Sequence, residues 1–307
     1  MRILTNYLQV VSTVLAFDAN YPDIVNDVFT PASIIGSSSE SFVSLDCFIQ
    51  DNRMNAFAPN ETIFKITLIS FLPIVLILIY ATVWLCMYLV PKKYFKDIKR
   101  NIAVSVVVIL YLLHPALTRS GLSMFQWVPF NNEMRVKIDV GMKCYSGKHF
   151  KWCAISGIPI LLVWGIGAPV LALVILFKYK NSLNTWNVQK YLLVLYQGLK
   201  SERFYWELIN TTRKTLLLWL PTFMSTLSLN YKVLSATALM IGILRIQKKF
   251  EPYKTDSYNK LEFNEIVTGT LTIYATMIYQ DEENNQPTID FIVFWLGKHF
   301  SNLHKFI

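Results

Sequence analysis

The apolar residues of this chain fall into long blocks that are separated by shorter charged stretches. The longest block runs from Thr62 to Val90. A helix rises about 1.5 Å per residue, so a block of this length spans the roughly 30 Å hydrocarbon core of a membrane. Similar blocks recur at 101–118, 154–177, 209–228, 231–247, 263–279 and 289–300. The pattern predicts an all-α, multi-pass transmembrane bundle of about 7–8 helices.

The start of the chain has a shorter amphipathic pattern. Apolar side chains at helical spacing share one face (Leu4, Tyr7, Leu8, Val11 and Leu15), and Asn6, Gln9 and Thr13 lie on the other. We expect residues 1–17 to form a membrane helix that packs against other helices, truncated from a longer gene product. An interfacial helix is the alternative. Residues 18–61 then form a mostly irregular, acidic extracellular segment, and residues 62–307 form the multi-helix domain.

The composition of the chain argues against several classes of function. Hydrophobic residues make up 53% of the chain and charged residues only 16%, below the level of soluble domains. The net charge of +9 does not indicate nucleic-acid binding, because the basic residues lie between apolar spans. The cysteines and histidines show no metal-binding spacing, and the chain has no phosphate-binding loop or nucleophile motif. We therefore expect neither an enzyme nor a bound metal or cofactor.

The distribution of Lys and Arg predicts the orientation in the membrane, since cytoplasmic loops are enriched in these residues. Residues 91–100 contain five basic side chains against Asp97, which places this loop inside. Alternation of the spans then places 178–207 and 245–262 inside as well, and both are rich in lysine. Residues 119–152 come out external although they are also basic, and they disagree with the other loops. The membrane itself could be the plasma membrane or an endomembrane.

Two modifications are expected in the segments placed outside. Asn60 begins an Asn-Glu-Thr sequon, so it is a candidate glycosylation site. Cys47 and Cys144 both lie in external segments, where a disulfide can persist. Cys153 competes as the partner at the outer membrane edge, and Cys86 lies within a span, where we expect a small apolar filler.

A histidine and a proline stand together near the outer end of one span. Pro115 frees a backbone carbonyl and favours a kink. His114 at that depth could titrate or line a vestibule. The alternative, which we favour, is that His114 is satisfied by the carbonyl that the proline frees.

Charged residues near the inner membrane face form a second group of candidates. Glu207, Arg213 and Lys214 enter one span, and Glu262 and Glu265 stand one helical turn apart at another. Unpaired carboxylates at such a depth are costly, so we expect Glu262 to pair with Arg213 or Lys214. All five are candidate ion-path or coupling charges, although interfacial anchoring and snorkelling would also explain the first three.

Short motifs along almost the whole chain carry a family resemblance. They are Ile3–Gln9, Ser44–Cys47, Leu113–Pro115, Asp139–Tyr145 with His149 and Trp152, Trp164–Pro169, Leu195–Gly198, Tyr205–Glu207 with Arg213 and Lys214, and Pro252–Tyr253 with Asn259, Leu261 and Glu262. In this order and spacing, the chain resembles the TRP-like C-terminal transmembrane domain of protist multi-pass surface proteins, a polycystin-like and fungal flavin-carrier-like family. The family often has a cysteine where Trp127 stands, which implies that Cys144 pairs with Cys47 or Cys153 instead.

The resemblance implies a TRP-like cation channel or channel subunit, with inorganic cations and the lipid bilayer as partners and a homo- or hetero-oligomeric assembly. The acidic outer segments would concentrate cations. A selectivity filter is not evident, because the loop at 280–288 is too short for a pore helix and filter. The alternative is therefore a non-conducting membrane anchor or receptor module of a larger surface protein. A carrier of lipid or flavin is the third, weaker interpretation.

Overall fold

The computed structural model describes residues 61–89, 97–224 and 226–281, together with Asn6, Gln9 and Val10. The described residues are mostly helical, as the sequence predicts, apart from one small sheet. The chain divides into two compact units. The first unit comprises residues 39–211, and the second comprises residues 1–38 and 212–307.

The described helices follow the apolar blocks closely. They are α1 (Glu61–Leu89), α2 (Ile98–Ser123), α3 (Gly147–Lys178), α4 (Trp186–Tyr196), α5 (Trp206–Phe223), α6 (Leu229–Phe250) and α7 (Asp256–Asp281). Short 3₁₀ turns at Lys180–Ser182 and Ser201–Arg203 flank α4. The first unit contains α1 to α4, the second contains α6 and α7, and α5 begins in the first unit and continues into the second.

Four helices in the described part are long and apolar enough to cross a membrane, namely Thr62–Met87, Ile98–Ser123, Gly147–Lys178 and Leu229–Phe250. Their apolar side chains are widely exposed, for example Leu78 at 60%, as lipid contact requires. The chain is therefore an integral membrane protein. The blocks at 209–228 and 263–279 fall largely in α5 and α7, which carry charged residues and are not among the four. The block at 289–300 lies outside the described residues.

The small sheet between α2 and α3 was not predicted from the sequence. Strands β1 (Trp127–Phe130), β2 (Glu133–Val136) and β3 (Asp139–Lys143) form an antiparallel meander in the order β1-β2-β3. Asn131 and Asn132 turn the chain between β1 and β2 with φ angles of 49° and 59°, a left-handed conformation that asparagine tolerates. Three short strands between long helices give little periodic signal, which explains why the segment reads as a loop.

An acidic residue in the sheet neutralises part of the basic loop 119–152. Glu133 accepts a hydrogen bond from Arg135 at 2.7 Å and pairs with Lys143. The hydrogen bond from Lys143 is the main reason that the pKa of Glu133 lies below its ordinary value. Two basic residues of the loop that disagrees with the charge rule are therefore partnered within the sheet.

The helices of the first unit pack closely at α3, which contains π-helical turns at Cys153–Gly157 and Leu161–Gly167. Gly121 of α2 permits this approach, because a Cβ atom there would lie 2.9 Å from Ile160 Cγ2. The Thr67 and Ser156 hydroxyls join α1 to α3 at 2.7 Å. Ile63, Ile66, Met124 and Ile160 form the buried core beside these contacts.

The second unit is built around α6 and α7. The two helices are joined by a short turn, in which Glu251 adopts a left-handed φ of 38° and ends α6. The buried core of this unit comprises Val10, Leu217, Val233, Ala236, Met240, Ile266 and Ile273. The presence of Val10 shows that the N-terminal segment contributes a helical, fully buried residue to this core.

Candidate functional site: a buried charge cluster

Four charged side chains meet in the interior of the second unit. Arg213 and Lys214 project from α5, and Glu262 and Glu265 project from α7. None of the four side chains is exposed by more than 1%. We call this set the charge cluster. Burial of this kind is rare for charged residues unless they are paired, so the contacts within the cluster decide what it can do.

Arg213 is the centre of the cluster because it contacts both carboxylates. Its Nη2 atom donates to Glu265 Oε1 at 3.1 Å and to Oε2 at 3.2 Å. Its Nη1 atom lies 3.6 Å from Glu262 Oε1. The two acids stand one turn apart on α7, so a single guanidinium group, with its rigid planar set of donors, can reach both.

The second oxygen of Glu262 is held from the turn that precedes α7. The Tyr253 hydroxyl donates to Glu262 Oε2 at 3.0 Å. Tyr253 is itself fixed by Asn259, which accepts a hydrogen bond from the Tyr253 N–H at 3.0 Å and donates to the Tyr253 carbonyl at 3.1 Å. These hydrogen bonds connect the loop before α7, and the beginning of α7 itself, to the charge cluster.

Lys214 extends the cluster towards the start of the chain. Its Nζ atom donates to Asn6 Oδ1 at 3.1 Å and to Gln9 Oε1 at 2.7 Å. Both amides are buried, with exposures of 0% and 1%. Two residues of the polar face predicted for residues 1–17 therefore contact a buried lysine, and these contacts are made within the second unit.

The charges of the cluster balance, since two cations face two carboxylates. In a low-dielectric interior such a set is tolerated only when its members are paired and hydrogen-bonded. Removal of one member leaves an uncompensated charge, which is far more costly than the loss of a surface ion pair. The arrangement therefore holds α5, α7, the turn between α6 and α7, and the side chains of Asn6 and Gln9 in one relative position.

The sequence identified part of this site. Of the two cations expected to pair with Glu262, Arg213 or Lys214, Arg213 forms the ion pair, and Glu265 is the closer partner of its guanidinium group. The amide partners of Lys214 were missed, because Asn6 and Gln9 lie more than two hundred positions away and no local pattern connects them. Glu207 is buried in the first turn of α5, within the first unit.

The imidazole of His114 contacts a carbonyl group on a neighbouring helix. Its Nε2 atom lies 3.1 Å from the carbonyl oxygen of Gly165, which belongs to the second π-helical stretch of α3. Pro115 stands next to it inside α2, and both residues are buried. The histidine thus links α2 to α3, and a carbonyl exposed by π-helical geometry supplies the partner.

His149 and Cys153 lie close together at the start of α3, a contact that was not predicted from the sequence. The Tyr145 N–H donates to His149 Nδ1 at 3.1 Å, so the ring carries its proton on Nε2 and donates to the Met124 carbonyl at 3.0 Å. Cys153 Sγ lies 3.3 Å from His149 Nε2. Among the described residues, no cluster of three or more His, Cys, Asp or Glu side chains could hold a metal ion.

The cysteine and glycosylation predictions are only partly covered by the structure. Cys144 and Cys153 are not joined to each other by a disulfide, and Cys86 is exposed on α1 rather than buried as a filler. Burial raises the pKa of the Cys144 thiol. Cys47 and Asn60 lie outside the described residues, so the disulfide of Cys47 with Cys144 and the glycosylation of Asn60 stay predictions.

Comparisons with known proteins give one relative of interest. No family model matches the chain, and no solved structure matches it. The chain is similar to the cysteine repeat modular protein A of Toxoplasma gondii, with 27% identity over 192 residues. The matched region covers 57% of this chain and 6% of the relative. The chain thus corresponds to a small part of that protein's length.

Proposed function

We propose that this chain is the membrane module of a larger modular protein, acting as a non-conducting anchor or receptor. The observation that carries the proposal is the full neutralisation of the charge cluster. Glu262 and Glu265, the carboxylates that a cation path would use, are 0% exposed and engaged by Arg213. A carboxylate that binds a passing cation must be reachable from water, and these two already have a permanent cationic partner.

The similarity to a modular protein supports the same proposal. The Toxoplasma protein is named for cysteine repeats and for modular construction, and this chain matches only 6% of it. A helical membrane module attached to a much longer protein would supply anchorage. On this proposal the outer segments meet extracellular partners, and the inner loops pass the signal on.

The proposed orientation places residues 91–100, 178–207 and 245–262 in the cytoplasm, with α5 as a further membrane crossing between the last two of these segments. One contact in the first unit supports it. Lys190 of α4 pairs with Asp97, which immediately precedes α2, so two loops that the charge rule places inside are in contact. On the other side, the sheet at 127–143 and residues 144–146 occupy the loop that alternation places outside.

A TRP-like cation channel or channel subunit is the second candidate, and the family resemblance implies it. The specific observation in its favour is a polar network inside a membrane protein, which includes Arg213, Lys214, Glu262 and Glu265. Charged groups at membrane depth often mark ion pathways. On this alternative, the cluster would open during gating and release its carboxylates to cations.

Electrical recording separates the two candidates. The purified full chain is placed in planar bilayers, and its folded state is verified by a cooperative thermal transition in the same preparation. The anchor proposal predicts no unitary currents under voltage, calcium or membrane tension, for the native chain and for Glu265→Gln alike. Cation currents that Glu265→Gln alters, and that Glu202→Gln at an exposed site leaves unchanged, would refute the anchor proposal and establish the channel.

A further inference from the structure

A cleft of about 620 Å³ opens in the second unit where α6 ends and α7 begins. Its volume lies in the range of small-molecule sites. The lining side chains come from the last turn of α6, from Glu251 in the following turn, and from the first turns of α7. None of the four charged members of the buried cluster lines this cleft.

A buried amide lines the cleft and lacks an acceptor. Gln247 is only 3% exposed, and its Nε2 atom has no hydrogen-bond partner among the described residues. Buried polar groups are almost always hydrogen-bonded, and a donor left unpaired is costly. The amide therefore points to a ligand that brings an oxygen acceptor into the cleft.

The charged side chains that line the cleft are equal in number of each sign, and they are accessible to a ligand. Lys248 and Lys260 supply two cations, and Glu251 and Asp256 supply two carboxylates. These four side chains are exposed, and within the described part of the chain none forms an ion pair or a side-chain hydrogen bond. A lining of this kind is complementary to a ligand that carries one anionic and one cationic group.

The position of the cleft indicates where such a ligand comes from. Helix α6 is one of the four candidate membrane spans, and it ends at Phe250 directly after Lys248 and Lys249. Lysines at the end of a span lie at the level of the lipid headgroups, where they meet phosphate. Lipid headgroups are thus the zwitterionic groups present at this depth.

We propose that the cleft binds the headgroup of phosphatidylethanolamine. Lys248, Lys260 and the Gln247 amide bind the phosphate oxygens, and Glu251 and Asp256 bind the ammonium group. A primary ammonium donates hydrogen bonds to carboxylates, whereas the trimethylated ammonium of phosphatidylcholine cannot, so the cleft discriminates between the two. The proposal does not depend on whether the chain conducts ions.

The cleft also borders the charge cluster through one residue. Asn259 lines the cleft and makes both hydrogen bonds that hold the Tyr253 backbone, and the Tyr253 hydroxyl contacts Glu262. A bound headgroup therefore stabilises the turn on which the cluster depends. Binding is expected to raise the thermal stability of the protein.

The test uses the purified full chain in detergent, titrated with short-chain lipids and followed by native mass spectrometry. We expect one phosphatidylethanolamine to bind at least about tenfold more tightly than phosphatidylcholine or phosphatidylglycerol. Lys248→Ala with Lys260→Ala should abolish this binding, and Glu251→Gln with Asp256→Asn should reduce it to the phosphatidylcholine level. Lys254→Ala, at an exposed lysine in the same turn that does not line the cleft, should leave it unchanged.

A thermal-shift measurement distinguishes the headgroup from a free anion. Soluble phosphoethanolamine should raise the unfolding temperature, and inorganic phosphate at the same concentration should not. Equal stabilisation by phosphate, equal or tighter binding of phosphatidylglycerol, or an equal loss of binding in Lys254→Ala would each overturn the proposal.

Discussion

One nitrogen of Arg213 contacts both carboxylate oxygens of Glu265, at 3.1 and 3.2 Å, and neither side chain is exposed by more than 1%. The other terminal nitrogen of the same guanidinium group faces Glu262. A single arginine therefore compensates two acids that share one face of α7. The stability of the second unit should depend on this residue more than on any surface charge.

Replacement of Arg213 by methionine should destabilise the protein by about 3–5 kcal/mol, because two buried carboxylates lose their partner. Arg213→Lys should recover only part of this loss, since an ammonium group cannot reach two acids at once. The measurement is thermal unfolding in detergent, followed by tryptophan fluorescence. Arg245→Met at an exposed position of α6 is the control and should change stability by less than about 0.5 kcal/mol. Equal effects of the two replacements would show that the cluster does not stabilise the fold.

The hydroxyl of Tyr253 should contribute measurably through its bond to Glu262. Tyr253→Phe deletes only that oxygen, and a hydrogen bond to a charged acceptor is worth about 1.5–3 kcal/mol. Tyr258→Phe, at a position 48% exposed in the same region, is the matched control and should have little effect. The same unfolding assay measures both variants, and an unchanged midpoint for Tyr253→Phe would contradict the observed contact.

Two glycines of the second unit should respond in opposite directions to a larger side chain. A Cβ atom at Gly269 would lie 3.2 Å from Val10 Cγ1 and 3.4 Å from Met240 Cε, so Gly269→Leu should overpack the core and cost about 1–3 kcal/mol. A Cβ atom at Gly242 meets nothing within 4 Å, so Gly242→Ala should stabilise α6 by about 0.5–1 kcal/mol. Unfolding midpoints of the two variants test the pair, and a gain in stability for Gly269→Leu would refute the close packing.

The two ends of α3 should label from opposite sides of the membrane. At about 1.5 Å per residue, its 32 residues extend about 48 Å, which exceeds the hydrocarbon core. Cysteines introduced at the exposed positions Lys148 and Lys180 should therefore both reach water. In intact cells an impermeant maleimide should modify Lys148→Cys at once and Lys180→Cys only after permeabilisation, with the parent chain as the background control. The reverse order would invert the proposed orientation.

Hydropathy predicted the long helices because their signal is local. The apolar block that begins at Thr62 became α1, and the apolar block at 231–247 lies within α6. The same reasoning found the pairing of Glu262 with Arg213, since a carboxylate at membrane depth requires a cation.

Most of the remaining features depend on contacts between residues that are far apart in the sequence. The choice of Gly165 as the partner of His114 follows from π-helical geometry in another helix. The partners of Lys214 lie near the start of the chain, and no pattern around Lys214 indicates them. The sheet did have a local signal, because Asn131 and Asn132 form a dipeptide suited to a tight hairpin, but strands of four or five residues gave it no support.

The bond between Lys214 and Asn6 joins residues 208 positions apart. The ribosome therefore releases Asn6 and Gln9 long before their lysine partner is made. During that interval the two amides lack the buried lysine that they bind in the folded protein. The buried contacts of the second unit can therefore form only after α5 and α7 have been synthesised, so the order of synthesis sets the order in which these contacts form.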